Sequence, residues 1–214
     1  MNSKKPSLEA KKQPIQARSR QMRADILRAA VRVLEREKGD RFTTPRIAEA
    51  CGVSVGSLYQ YFPNKESILW ALQLEEWQAT ARKLDALLAG PGTPAEVLTR
   101  LIQAFFESER AERRYRRALQ NAIGSSLRSR PEHRRLERGI FERVRDFLAR
   151  ANTKLAGPEL EFRTRLVIVT VGSIAERVSE SAQDRRDLGR WVEVTTRWIL
   201  QETGLTQRAR PPAP

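Results

Sequence analysis

Cysteine and histidine are almost missing from this chain of 214 residues: Cys51 and His133 are the only ones. One cysteine excludes an internal disulfide, and a cytoplasmic location fits that count. A lone Cys and a lone His also exclude zinc sites built from these ligands, so no metal and no cofactor are expected. No stretch approaches eighteen continuous apolar residues, which excludes a membrane-spanning helix and predicts no membrane partner. The basic N-terminus "MNSKKPSLEAKKQPIQARSR" is not followed by an apolar segment, so it does not read as a secretory signal. There is no glycine-rich phosphate loop, no metal-ligand spacing, and no nucleophile with an oriented base. The chain is therefore expected not to be an enzyme.

What is abundant is positive charge. Lysine and arginine number 40 against 26 acids, a formal net charge of +14. Such an excess suits a polyanionic partner, nucleic acid above all; an arginine-biased composition without functional meaning is the plain alternative. Residues 1–19 hold Lys4, Lys5, Lys11, Lys12 and Arg18 against one acid, Glu9, with Pro6 and Pro14 interrupting any helix. They are read as a disordered basic arm.

Helical periodicity then takes over. Met22, Ile26, Ala30 and Val33 mark one stripe between Arg20 and Lys38, ended by Gly39. Pro45 suits the first turn of a short helix ending at Cys51, and Gly52 stops it. Val53 is expected to be buried in the turn, and Ser54 to cap a second short helix, Val55 to Tyr61. Pro63 breaks that one, and Asn64 caps a long helix from Lys65. "AGPGTP" at residues 89–94 is the clearest break. Further helices are expected at about 95–109, 111–127, 131–155, 159–181 and 186–203. The fold class is all-α with about nine helices. The expected domains are 20–65 and 66–204, followed by a disordered tail, 205–214.

The stretch "IAEACGVSVGSLYQYFPNKESIL" carries the functional signal. Two short helices joined by a glycine turn need a third helix beneath them, and the stripe from Met22 supplies it. Ile47, Ala48, Cys51, Val53, Leu58 and Phe62 are assigned to the shared core. Gly52 is expected at a positive φ. One face of the second helix stays free for the major groove of DNA: Val55, Gly56, Ser57, Tyr59, Gln60 and Tyr61. Val55, Ser57 and Gln60 are read as base readers; Tyr59 and Tyr61 are read as phosphate contacts. Thr44 and Ser54 sit at helix N-termini, where a phosphate binds, and Lys65 adds a cation.

With these residues the segment from Arg23 to Leu69 resembles the DNA-binding domain of the tetracycline-repressor (TetR) family of bacterial regulators. It has the Thr44 helix start, Ile47-Ala48, Gly52-Val53-Ser54, Gly56, Leu58-Tyr59, Tyr61-Phe62 and Lys65. Cys51 stands where the family usually has alanine. The resemblance implies a dimeric, ligand-responsive regulator, most often a repressor that binds a palindromic DNA operator and is released by a small-molecule effector. An activator of the same family, or a non-specific architectural DNA-binding protein, is the alternative. The resemblance also implies a ligand cavity among the middle helices, for which Trp77, Phe105, Phe106, Tyr115 and Phe141 are the candidates. The last two helices would form the homodimer contact through Phe162, Leu166, Val169, Gly172, Ser173, Trp191, Thr195 and Trp198. Trp191 and Trp198, seven apart, share one apolar face. Residues 110–150 hold thirteen arginines against five acids. A solvated helix face is one reading; an anionic group on the effector is the other. His133 is expected to be exposed.

Overall fold

The computed structural model describes residues 15–36, 42–123, 131–181 and 185–206, all of them helix or short connection. Among these residues there are eight helices and no strand: α1 (Ile15–Arg36), α2 (Thr44–Cys51), α3 (Val55–Tyr59), α4 (Lys65–Leu88), α5 (Pro94–Ala122), α6 (Pro131–Ala151), α7 (Gly157–Ser181) and α8 (Arg185–Glu202). The chain divides into two compact units, Met1–Ile68 and Leu69–Pro214. Gly39, residues 1–14 of the expected arm and residues 207–214 of the expected tail lie outside the described residues. Helix α1 begins at Ile15, so residues 15–19, assigned from sequence to the arm, are helical. Leu205, assigned to the tail, is buried in the core of the second unit.

In the first unit, Ile26, Ala29, Ala30, Val33 and Leu34 of α1 are buried together with Ile47, Ala48, Leu58 and Phe62. Gly52 adopts φ 74°, a left-handed conformation that costs any residue with a Cβ. Its N–H bonds to Glu49 O at 3.1 Å and that of Val53 to Ala48 O at 3.0 Å, which closes α2 and turns the chain into α3. Arginines of α1 bind the turn from below. Arg32 donates to Ala50 O at 2.9 Å, and Arg23 donates to Tyr61 O while its guanidinium lies 4.7 Å from the Phe62 ring centroid. Cys51 and Val53 are only half-buried, not core as expected, because both sit on the rim of this turn.

The second unit packs Leu98, Ile102, Phe106, Phe147, Leu148, Val171 and Ile199 into one core. Helix α5 is a single helix of 29 residues where two were expected. Its start is fixed by a capping box between Thr93 and Glu96. The polar run "SERAERR" continues it, because Glu, Arg and Ala are good helix formers and nothing there breaks the backbone. This fusion brings the count to eight. Where α8 ends, Leu205 N–H bonds to Leu200 O at 2.8 Å, and Asn152, just past α6, donates to Thr203 O at 3.0 Å.

Candidate DNA interface and ligand cavity

Helix α3 is short, and its N-terminus depends on Ser54, whose hydroxyl accepts from Ser57 N–H at 3.0 Å and lies 2.8 Å from Ser57 Oγ. Beyond that cap, Gly56, Tyr59 and Gln60 are exposed; Val55, Ser57 and Tyr61 are half-buried. A Cβ built on Gly56 would meet nothing closer than Ser54 Oγ at 3.9 Å. The fold itself has room for a side chain there, so any requirement for glycine comes from a partner outside the chain. The Tyr59 hydroxyl pairs with Thr44 Oγ1 at 3.0 Å. Thr44 is buried, so its side chain is not the free phosphate ligand expected from sequence. It anchors the tyrosine instead and ties the start of α2 to the end of α3. Lys65 is exposed at the start of α4, which Asn64 caps by accepting from Ser67 N–H at 2.8 Å.

The Cys51 thiol is pushed above its ordinary range, first by burial and then by Asp25, with Arg32 and Arg28 opposing. Basic neighbours are therefore present, contrary to the sequence reading, yet burial outweighs them and favours the protonated thiol.

Within the second unit a cavity of about 1050 Å³ is lined by Trp77, Phe105, His133, Phe141 and Arg116, among others. A narrower, largely apolar slot of about 120 Å³ shares Phe105, Arg116 and Thr80 with it and continues past Leu84, Leu101 and Val144. Three of the five predicted ligand residues, Trp77, Phe105 and Phe141, thus line the cavity. Phe106 does not: it points into the core and is fully buried. Tyr115 lines neither space; it is half-buried, with its hydroxyl 3.5 Å from Leu72 O and its phenol pushed up by burial, then by Glu76. His133, expected on the surface, packs edge-on against Trp77 with ring centroids 5.2 Å apart.

Sequence reasoning missed the polar cluster on this cavity wall. Arg116 Nε lies 3.0 Å from Glu76, its Nη2 lies 2.9 Å from Glu112, and its Nη1 pairs with Glu109. Burial pushes the Glu76 and Glu109 carboxyls up, with Arg116 opposing, while Glu76, Glu109 and Glu112 together push the Arg116 guanidinium up against its own burial. The two directions agree physically: one cation shared by three carboxylates is overcompensated, and each carboxylate is undercompensated. Glu112 and Arg116 stand four apart, a spacing visible in the sequence; Glu76 on α4 carried no such signal.

Several arginines of the run cross-link helices. Arg113 donates to Ser179 O at 2.9 Å, Arg117 pairs with Glu180 at 2.9 Å, and Arg143 with Asp85 at 2.6 Å. Arg134 and Arg138 line the cavity with Arg116.

The outer face of α7 and α8 is apolar. Phe162 is 56% exposed, Val169 63%, Trp191 43% and Trp198 40%, with Ser173 exposed and Leu166 half-buried beside them. One predicted contact falls elsewhere: Thr195 is only 3% exposed and faces the core, one turn from Ile199. Gly172 is half-buried and, like Val169, also lines the cavity.

Among the described residues, no group of three or more His, Cys, Asp or Glu is placed to hold a metal, and no helix is long and apolar enough to cross a membrane. The family described as "Bacterial regulatory proteins, tetR family" matches residues 26–72, and "Tetracyclin repressor-like, C-terminal domain" matches residues 93–195. The chain is 30% identical over 121 residues to the HTH-type transcriptional regulator EthR of Mycolicibacterium smegmatis, covering 56% of this chain and 54% of that one. It is 38% identical over 74 residues to the nucleoid occlusion factor SlmA of Mannheimia succiniciproducens, 34% of each chain. The chain thus spans about a third to about half the length of these curated relatives. In fold it is similar to the transcriptional regulator FadR of Bacillus subtilis, solved in complex with stearoyl-CoA, at a TM-score of 0.70 and 19% identity over 84% of this chain and 98% of that one. The helix-turn-helix, the helical unit that follows it and these matches together make the chain a DNA-binding transcriptional regulator of the TetR family.

Proposed function

We propose that the protein is a cytoplasmic repressor that binds a palindromic operator as a homodimer and leaves it when an apolar small molecule fills the cavity. The observation that carries this reading is the cavity itself. Trp77, Phe105 and Phe141 wall a space of about 1050 Å³, and Trp77 sits on α4, the same unbroken helix that begins at Lys65. The FadR neighbour holding stearoyl-CoA supports a ligand with a long apolar part. Tyr59, Tyr61 and Lys65 set phosphate register; Val55, Ser57 and Gln60 meet base edges, with Gly56 letting the backbone approach. The apolar outer face of α7 and α8 supports the homodimer, which a palindrome requires so that two recognition helices stand about 34 Å apart.

Footprinting on the promoter beside the gene tests the reading. A discrete palindrome protected by wild type is expected. Lys65→Ala should weaken every sequence and lower the salt slope by about one, whereas Gln60→Ala should alter sequence preference by about 1–3 kcal/mol per base pair. The likeness to the nucleoid occlusion factor favours a second reading, a regulator spread over many chromosomal sites. Many dispersed sites with no ligand response would support that one.

A further inference from the structure

The cavity of the second unit is lined by four arginines, Arg116, Arg134, Arg138 and Arg165, and by four glutamates, Glu76, Glu109, Glu137 and Glu176. The two signs balance in number but not in place. At the buried end Arg116 is closed on Glu76 and Glu109, with Glu112 as a third partner. Each nitrogen of that guanidinium lies against a carboxylate, so this end offers a ligand no free cation. Arg134, Arg138 and Arg165 are exposed and form the rim.

The rim gathers its positive charge around Phe141. Arg165, on α7, lies over the Phe141 ring, 5.9 Å from its centroid. The carboxylate of Glu161 is 4.0 Å from Arg165 and is shared with Arg145 at 3.9 Å. Arg138, on α6, stands three residues before Phe141 and so on the same helix face, and Arg134 stands one turn before Arg138. Neither makes an ion pair or a hydrogen bond among the described residues. The two glutamates of the rim leave this place open. Glu137 lies 3.6 Å from His133 Nδ1, and Glu176 is eleven residues beyond Arg165 on α7, about 16 Å along the helix axis. An anion beside Phe141 would therefore meet Arg165 from α7 and Arg138 from α6. Because the rim is exposed, it would keep part of its hydration and avoid the cost of burying a charge. Inward from Phe141 the wall is apolar. Ile140, Ile168 and Phe105 belong to cavity and slot alike, and the slot goes on past Leu84 and Val144.

We propose that the effector is a single-chain amphiphile whose anionic head, a carboxylate or a phosphate ester, is held at Phe141 by Arg138 and Arg165, with Arg134 one turn away, and whose alkyl chain runs past Phe105 into the slot. The proposal rests on the cavity being the effector site and adds the charge and the orientation of the ligand. Arginine suits such a head because its planar fork takes two oxygens at once. Exposed arginines attract modestly and are screened by salt, so the chain supplies most of the affinity and the head sets the direction of entry.

Decanoate, decyl phosphate, decanol and decylammonium, four heads on a ten-carbon chain, test it by titration calorimetry on the full-length protein, with operator release measured in parallel. At least one anion is expected to bind about tenfold more tightly than decanol, the scale of two exposed ion pairs. Decylammonium should bind more weakly than decanol, and the tighter anion names the head. The gap between anion and decanol should narrow as salt is raised. Arg138→Gln combined with Arg165→Gln should abolish the gap and leave decanol binding unchanged. Arg138→Glu combined with Arg165→Glu should turn the preference to decylammonium, a gain that a misfolded variant does not give. Decanol bound as tightly as both anions, or an anion preference that survives the double glutamine variant, overturns the proposal while the cavity reading stands. Selective anion binding without operator release overturns the repressor reading alone. No binding by any probe overturns both.

Discussion

Replacing Arg116 with leucine removes the one cation that Glu76, Glu109 and Glu112 share. The Glu76 and Glu109 side chains keep only 17% and 13% of their surface exposed, so water cannot take the place of the guanidinium. Breaking a buried pair by deleting one partner costs about 3–5 kcal/mol. The Coulomb energy of a unit pair at 4 Å, about 4 kcal/mol at an effective dielectric of 20, gives the same scale. Glu112 is half-exposed and adds at most about 1 kcal/mol. For a unit of this size each kcal/mol lowers Tm by about 2–4 °C, so a fall of about 6–20 °C is expected.

The pH dependence separates charge from packing. The Glu76 and Glu109 carboxyls titrate above their usual 4.5 because of burial, with Arg116 opposing. A raised folded-state value means that protonation stabilises the fold below the unfolded value and that this stability is lost as pH rises through the folded value. Without Arg116 both carboxyls rise further. The deficit of Arg116→Leu should therefore be full at pH 7.5 and small near pH 4.5. Urea unfolding followed by tryptophan fluorescence reads this directly, because Trp70, Trp77, Trp191 and Trp198 all lie in the second unit. Adding Glu76→Gln and Glu109→Gln should restore most of the stability at pH 7.5. A deficit equal at both pH values and not recovered in the triple variant would show that Arg116 acts by packing, and the charge argument would fail.

Gly52→Ala should cost the first unit about 1–2 kcal/mol from backbone strain alone, since nothing lies within 4 Å of the added Cβ; amide exchange in α2 checks it, and a loss no larger than that of Gly56→Ala would count against the strain. Trp198→Glu should convert a dimer to a monomer in sedimentation equilibrium and weaken operator binding without unfolding the second unit; a dimeric variant would place the interface elsewhere. Glycines at Glu75 and Gln78, exposed on α4, each cost about 1 kcal/mol of helix. They should leave operator and ligand binding intact while shrinking the effect of one on the other; undiminished coupling would rule out α4 as the carrier.

The helix-turn-helix was legible because each of its parts has a local sequence cause. Gly52 demands its φ, Ser54 its cap, Asn64 its cap, and Ile47, Ala48, Leu58 and Phe62 their burial. What sequence could not supply is where a side chain points when two faces of a helix are both apolar. On α8, Leu188 and Ile199 turn inward while Trp191 and Trp198 turn outward, and Thr195, between them in sequence, goes with the core. Phe105 and Phe106 are adjacent in the chain, yet one lines the cavity and the other fills the core. The Thr44–Tyr59 bond and the Glu76–Arg116 pair join residues 15 and 40 positions apart, and such pairings are set only when helices pack.

The basic excess itself resolves into two different uses. Residues 1–68 hold fourteen lysines and arginines against seven acids, half of the net charge of +14 in less than a third of the chain. That concentration coincides with the DNA-binding unit and with an exposed Lys65, as counterion release at a phosphate backbone requires. In the second unit the same surplus is diluted, and several of its arginines are tied to carboxylates and carbonyls on neighbouring helices: Arg143 to Asp85, Arg117 to Glu180, Arg113 to Ser179, Arg163 to Glu202. An arginine fixed in this way positions a helix and holds no mobile counterion for a nucleic acid to displace. Composition alone cannot separate the two uses, because both raise the net charge equally. Salt dependence can: if the first unit's cations alone meet phosphates, charge-removing substitutions there should lower the slope and those in the second unit should not.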